Sequence, residues 1–361
     1  MSRGLKRAWT LILVVVLGLS LASCSGHGRV PFKGVIGPAE FLAVVSARTG
    51  ITVDVVSAGS GKPVRQALPR DRGRDRLDDI TRLPGTDFLV TYAHGPVCAG
   101  PGAGCFPKPH DCGGEVDRYN PGSGRLTTVW TVGTDTAILS ATASPDASEI
   151  AAEVAPCAKF YFNDYLIIHR LSDGAEWRIG AGEQRCHTLR SPAWIDHSHL
   201  VVAFGAARGR PWTGPDGTCT ESSRAGLTVV DADRPQSHFP PGRGAAGCDY
   251  QSTTAVGAWI YAVLACGSDY GLHGQAWLQR LSHQLAVMQR WSLGECTDGN
   301  DLAANRDGAV LISAYLFCNP PPPGQPRQEP HTVLDRLDGD RLTHITTTPP
   351  VGLLAYDNMA W

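Results

Sequence analysis

Ten cysteines follow Cys24, and six of them fall in regular steps: Cys157 to Cys186 is 29 residues, Cys219 to Cys248 is 29, and Cys266 to Cys296 is 30. Cysteines in such numbers either oxidise to disulfides or ligate a metal. Polar groups stand directly behind them, in Cys186-His187, Cys248-Asp249-Tyr250 and Cys296-Thr297-Asp298, with Asp301 just beyond. Brought together, these side chains would make a mainly acidic ring suited to a cation such as Ca²⁺ or to a basic group. Carboxylates with His187 could also act as acid and base. Against that, the chain has no Gly-x-Ser-x-Gly elbow, no His-Glu-x-x-His pair, no Walker loop and no dinucleotide fingerprint. No cofactor is therefore implied, and Ca²⁺ is the one ion the acidic residues would suit.

The redox state of the cysteines depends on compartment, which the amino terminus indicates. Arg3, Lys6 and Arg7 precede an apolar run from Ala8 to Ala22 that ends in Leu21-Ala22-Ser23-Cys24. Charge, then an apolar stretch, then small residues is the order of a signal peptide. At about 15 residues the run is shorter than the roughly 20 that span a bilayer. The Leu-Ala-Ser-Cys order resembles the bacterial lipobox, and that resemblance implies cleavage before a diacylated Cys24. Residues 1–23 then form the leader, 24–38 a tether and 39–361 an ectodomain on the extracytoplasmic face of the cell membrane. Removing Arg3, Lys6 and Arg7 takes the net charge from −2 to −5. A mildly acidic ectodomain argues against a nucleic-acid partner and offers no polybasic patch to anionic lipid.

The elements that must position the cysteines and acids are short strands. The ectodomain repeats a hairpin of apolar strand, polar turn and second strand, as in Phe41 to Val56, Gly114 to Trp130 and Tyr165 to Ile179. Three more hairpins turn near Asp233, His283 and Gly339. Between them lie apolar strands such as Phe88 to Tyr92, Ile150 to Val154 and Val310 to Leu316. Turns near Thr49, Ser123, Asp173, Asp233, His283 and Gly339 are spaced 74, 50, 60, 50 and 56 residues apart, the spacing of four-stranded blades. With 41 Gly, 26 Pro and 7% aromatic residues, the composition favours turns between strands over long helices. The expectation is an all-β, six-bladed propeller. Val351 to Trp361 is read as an innermost strand that completes the amino-terminal blade and removes the free edges.

Two segments carry a family resemblance. Ser191-Pro192-Ala193-Trp194 before Leu200, and Ser144-Pro145-Asp146 before Ile150, are similar to the Ser-Pro-Ala-Trp-Ser-Pro-Asp-Gly repeat of TolB-type propellers. Here Asp146-Ala147 and Asp196-His197 stand where the family has Asp-Gly.

On a propeller, the loops from second to third strand and from one blade to the next share a rim. Cys157, Cys219, Cys266 and Cys318 follow second strands, whereas Cys186, Cys248 and Cys296 precede innermost strands, so all seven crowd one face. The equal steps predict disulfides Cys157–Cys186, Cys219–Cys248 and Cys266–Cys296. Cys98, Cys105, Cys112 and Cys318 remain, with three connectivities open. A metal site at Cys98, Cys105 and Cys112 with His94 and His110 is disfavoured by spacing wider than zinc knuckles use. The long insertions 93–113, 205–225 and 267–274 and the proline run from Pro320 lie on the same rim. Asp79, His187, Asp249, Tyr250, Asp298 and Asp301 are the candidate axial binding residues, with Asp357 further along the last strand. Trp130, Trp177 and Trp291, in outer strands, are expected to pack between blades. The expected function is a scaffold or accessory factor whose stapled face binds an envelope protein, peptide or glycan. The alternative is a hydrolase or lyase that acts on a glycan or small molecule through axial carboxylates.

Overall fold

The computed structural model describes residues 33–47, 50–68, 71–72, 75–94, 112–156, 164–181, 187–206, 213–214, 217–218, 226–244, 247–267, 274–295, 297–316, 331–346 and 353–361. They contain strands and turns and no helix. Six antiparallel sheets form the blades of a β-propeller. Their innermost strands are Leu353–Ala360, Asp75–Arg82, Thr136–Ala143, His187–Trp194, Cys248–Val256 and Thr297–Ala304, in blades 1 to 6 respectively. Each touches the innermost strand of both neighbouring blades, so the ring is closed. The chain's last strand, Leu353–Ala360, pairs with its first, Glu40–Ala47, as expected.

The layering explains the hydropathy pattern. The second strand of each blade has a sheet neighbour on either edge and another blade over each face, so its residues are buried without alternation. Phe88–His94, Glu149–Pro156, Trp259–Cys266 and Val310–Leu316 are all of this kind. Outermost strands meet solvent and alternate, as Arg125–Val132 does. Among the described residues, buried apolar side chains gather in six large clusters, each lying between two neighbouring blades, and Cys112 and Ala137 form a small seventh. The core of this protein is thus a set of radial seams.

Blade 4 departs from the four-stranded pattern. Its sheet holds His187–Trp194, His199–Ala206 and Gly226–Asp231, and 232–244 passes outside them with isolated bridges Leu227↔Arg243 and Ile179↔Gln236. Phe239 anchors that segment by packing edge-on against Phe204, with ring centroids 5.1 Å apart. Gly180 makes room for it: its φ is +82°, and a Cβ there would stand 2.0 Å from the Phe239 ring. Blade 2 instead carries a short extra strand, Asp71–Arg72, beside its innermost one. Thr213–Gly214 and Gly217–Thr218 form a small separate hairpin.

Every innermost strand carries a register irregularity near its middle, between Leu77 and Asp79, opposite Glu153 and Val154, and between Arg190 and Ala193, Tyr250 and Ser252, and Gly299 and Asp301. In the closing strand it lies between Tyr356 and Met359. Bulges increase strand twist and re-aim the side chain that follows them. In the turn after blade 3's innermost strand, Ala147 has φ +57°. This is the place where the Asp-Gly turn of the resembled repeat would put glycine.

Two of the expected disulfides are overturned. Cys248 bonds to Cys266, so neither Cys219–Cys248 nor Cys266–Cys296 forms. The two residues face one another in register across the first hairpin of blade 5, with Cα atoms 4.0 Å apart. Equal sequence steps had suggested a link between loops, whereas cross-strand adjacency places the partner 18 residues away. Cys112 is also disulfide-bonded. Cys157, Cys186, Cys219, Cys296 and Cys318, with Cys98 and Cys105, lie outside the described residues. Replacing Cys248 and Cys266 together by Ala should lower stability by about 3 kcal/mol in the chain-entropy model. A denaturant melt of the double variant that superimposes on the wild type would show that this bridge contributes nothing.

Candidate functional site

A cavity of about 750 Å³ occupies the end of the axial channel at which the innermost strands finish. All six blades line it, from Asp79 to Pro84, Ser140 to Pro145, Pro192 to His197, Thr253 to Gly257, Asp301 to Arg306 and Met359 to Trp361. It therefore opens at the end opposite the rim bearing Cys248 and Cys266. The wall is mostly small (Ala141, Ala143, Ala255, Ala303), which is what leaves the space open. Asp79 and Asp301 form its floor, and Arg82 and Arg306 stand at its mouth.

The floor carboxylates hold the ring together. Asp79, in blade 2, accepts the Ala141 amide of blade 3 at 3.1 Å and its neighbour Ile80's amide at 2.7 Å. Asp301, in blade 6, accepts the Met359 amide of the closing strand at 2.6 Å and the Ser252 hydroxyl of blade 5 at 3.3 Å. Asp164, at the entry to blade 3's third strand, accepts the Leu189 amide of blade 4 at 3.1 Å. Glu153 accepts the Ser140 hydroxyl at 3.1 Å within blade 3. Asn358 donates to the Asp78 carbonyl, and Thr81 to the Ala141 carbonyl at 2.8 Å. The bulges are what turn Asp79, Ser252 and Asp301 toward the next blade.

Burial makes these groups weak acids. It raises Asp79 to about 7, against the pull of the Ala141 and Ile80 amides, with the charges of Glu153 and Asp78 adding to it. Burial likewise raises Glu153, opposed by Arg190 and the Ser140 hydroxyl. Asp164 is raised by burial and by Glu153, and Asp301 by burial and by Asp79. The four carboxyls form one electrostatic chain that runs from the cavity floor into blade 3, in which each ionisation hinders the next.

Of the residues singled out in the sequence, Asp79 and Asp301 share this floor. Asp249 is buried at the far end of blade 5's innermost strand, next to Cys248. Tyr250 points away from the axis: it packs between blades 4 and 5 with Ala193, Val201 and Leu227, its hydroxyl 3.2 Å from the Gln279 amide. Strand alternation turns it to the opposite face from its neighbour. His187 begins blade 4 and pairs with Ala206 through the backbone. The side chains of His187, Asp298 and Asp357 are outside the described set. Sequence reasoning missed Glu153, Asp164, Ser140 and Ser252. Glu153 left a signal, a lone charge inside the apolar run Ile150 to Val154; the serines left none. Trp130 packs as expected between blades: it stacks on His169 with centroids 5.0 Å apart, and its indole donates to Glu176 at 2.6 Å.

No family model matches the chain, and no curated protein matches it. Solved structures match in architecture. Prolyl oligopeptidase B from Galerina marginata in its apo form is 11% identical, 87% of this chain covering 41% of that one at a TM-score of 0.48. The β-propeller domain of the trilobed protease from Pyrococcus furiosus is 12% identical, with 75% and 70% covered and a TM-score of 0.39. A protein of unknown function from Bacteroides caccae is 8% identical, with 89% and 98% covered and a TM-score of 0.44. The chain spans between 35% and 42% of the first prolyl peptidases that it matches.

The raised carboxyls fix the sign of a pH effect. A carboxyl that holds its proton more tightly when folded stabilises the fold fully below its unfolded pKa, and that contribution is lost as pH climbs through the folded value. For Asp79 this window runs from 3.8 to about 7. Chemical-denaturation midpoints should therefore fall between about pH 5 and pH 8, and Asp79→Asn should flatten the decline. A midpoint that rises over this range would contradict the assignment.

Proposed function

We propose that the protein is a lipid-anchored, extracytoplasmic propeller of the TolB type that works as a binding module, its cysteine-rich rim meeting an envelope protein, peptide or glycan. The single observation that carries this reading is the engagement of the buried carboxylates between blades. Asp79, Asp164 and Asp301 each accept a backbone amide from a neighbouring blade. Groups committed in this way cannot move to meet a reacting substrate without loosening the ring. What the axis supplies is a rigid frame, and rigid frames carry binding surfaces on their loops. The lipobox-like Leu21-Ala22-Ser23-Cys24 and the cysteine-rich loops agree with work outside the cytoplasm.

An acid–base enzyme is the second reading, favoured by the proximity of Glu153 to Arg190 and Asp164. In it, Glu153 would hold a proton for transfer at the axis.

Cross-linking mass spectrometry on the full-length protein in its native membrane tests the binding reading. Lys108 and Lys159, which the sequence assigns to the partner-binding segments and which lie outside the described residues, should link to one recurrent partner, and Cys24→Ala should release the chain from the membrane fraction. If an abundant, folded protein gives no recurrent partner at that rim, the binding reading fails. Turnover of a glycan or small molecule that is abolished by Glu153→Gln would put the enzyme in its place.

A further inference from the structure

The mouth of the cavity, at the opposite end from the proposed partner rim, holds two arginines with one weak acceptor between them. Arg306 of blade 6 donates to the Gly85 carbonyl at 2.7 Å, and Arg82 of blade 2 donates to the same oxygen at 3.4 Å. Two full positive charges thus share a single carbonyl dipole. Gly85 takes φ +95°, a conformation open to glycine, as it turns the loop that carries this carbonyl. The Arg82 Nε is hidden from solvent with no hydrogen-bond partner among the described residues. Neither guanidinium forms an ion pair with a described carboxylate. The burial of Arg82, and after it the charge of Arg306, disfavour the charge on Arg82.

Asp307, next to Arg306 in the chain, is exposed and outside the cavity lining, and the other carboxylates of this end are occupied elsewhere. Asp196, on the blade 4 side, is held by the Ser198 and His199 amides and the His199 ring. Asp146, on the blade 3 side, accepts from Ser144 and from the Ser148 amide and hydroxyl. Asp87 is taken by Arg118 and Asn120. Asp79 and Asp301 below are weak acids bound to backbone amides. The mouth is therefore cationic on one side, above a cavity of about 750 Å³, within the range that accepts a small organic molecule. Its wall offers apolar contact from Ala143, Pro145, Pro192, Ala255 and the two indoles of Trp194 and Trp361.

We infer that the channel mouth is a binding site for a small organic anion, whose charged group is clamped by Arg82 and Arg306 and whose apolar body enters the cavity. Paired guanidiniums suit a planar carboxylate or a phosphoryl group through parallel charge-assisted hydrogen bonds. The site does not depend on the partner proposed for the cysteine-rich rim, and it can stand if that proposal fails.

The test uses the full-length protein in detergent at low chloride, with thermal unfolding followed against benzoate, benzamide and inorganic phosphate. Benzoate should raise the midpoint saturably while benzamide, equal in shape and uncharged, does not. Arg306→Gln, an exposed position, should weaken benzoate roughly tenfold and Arg306→Lys less, the difference that loss of a charge-assisted pair predicts. Arg82→Gln should do the same if it folds, and Arg306→Gln keeps the test decisive if it does not. Tighter binding of phosphate than of benzoate, lost in the same variants, would assign the site to phosphoryl anions. Equal effects of benzoate and benzamide, wild-type benzoate affinity in folded Arg306→Gln, or no saturable shift with either anion up to about 50 mM would overturn the inference.

Discussion

The structure depends on joining the two ends of the chain. A ring of blades has no free edge only if the last strand completes the first sheet, and here nine residues, Leu353 to Trp361, do that work. Backbone pairing to Glu40–Ala47 supplies one edge. The other contacts come from the two flanking blades: the Asp301 carboxylate on the Met359 amide, the Ser313 hydroxyl on the Tyr356 carbonyl at 2.8 Å, and Asn358 on the Asp78 carbonyl. Tyr356, fully buried, reaches the Gly61 carbonyl through its hydroxyl, and Arg336 lies over the Trp361 ring at 5.0 Å. The closing strand is thus fixed by hydrogen bonds on both sides and by apolar packing with blade 6.

Placing acids at an axis is costly, because a buried carboxylate loses its hydration. Two features offset that cost here. Backbone amides and hydroxyls of neighbouring strands replace part of the lost water. Burial also raises the carboxyls of Asp79, Glu153, Asp164 and Asp301, so that they hold their protons more tightly and repel one another less. Apolar side chains could fill the space, but they could not pair with the Ala141, Leu189 and Met359 amides of the innermost strands.

The blades were legible because a fully covered strand must be apolar on both faces: Trp259 to Leu264 reads as an unbroken run and Val310 to Leu316 as one interrupted only by Ser313, and the hairpin turns space them. The closing strand was legible from the length and tryptophan ending of its last segment. The outer part of blade 4 was not, since Asp233 marks a turn but the chain beyond it bonds singly at Gln236 and Arg243. Asp79 and Asp301 could be placed near the axis from their position in the strands. Their role as amide acceptors could not, because it follows from an inserted residue that only the pairing register reveals. The Cys248–Cys266 bridge was misjudged for the same reason: equal steps along the chain say nothing about which residues stand opposite in a hairpin.

The central claim is that the floor carboxylates close the ring. Amide hydrogen exchange, resolved along the chain and compared between the wild type and Asp301→Ala, tests it most directly. The account predicts that protection is lost first in Leu353 to Trp361 and in its partner Glu40–Ala47, with the second strands of blades 3 and 5 still protected. Unchanged exchange in the closing strand, with Met359 as slow as in the wild type, would contradict it.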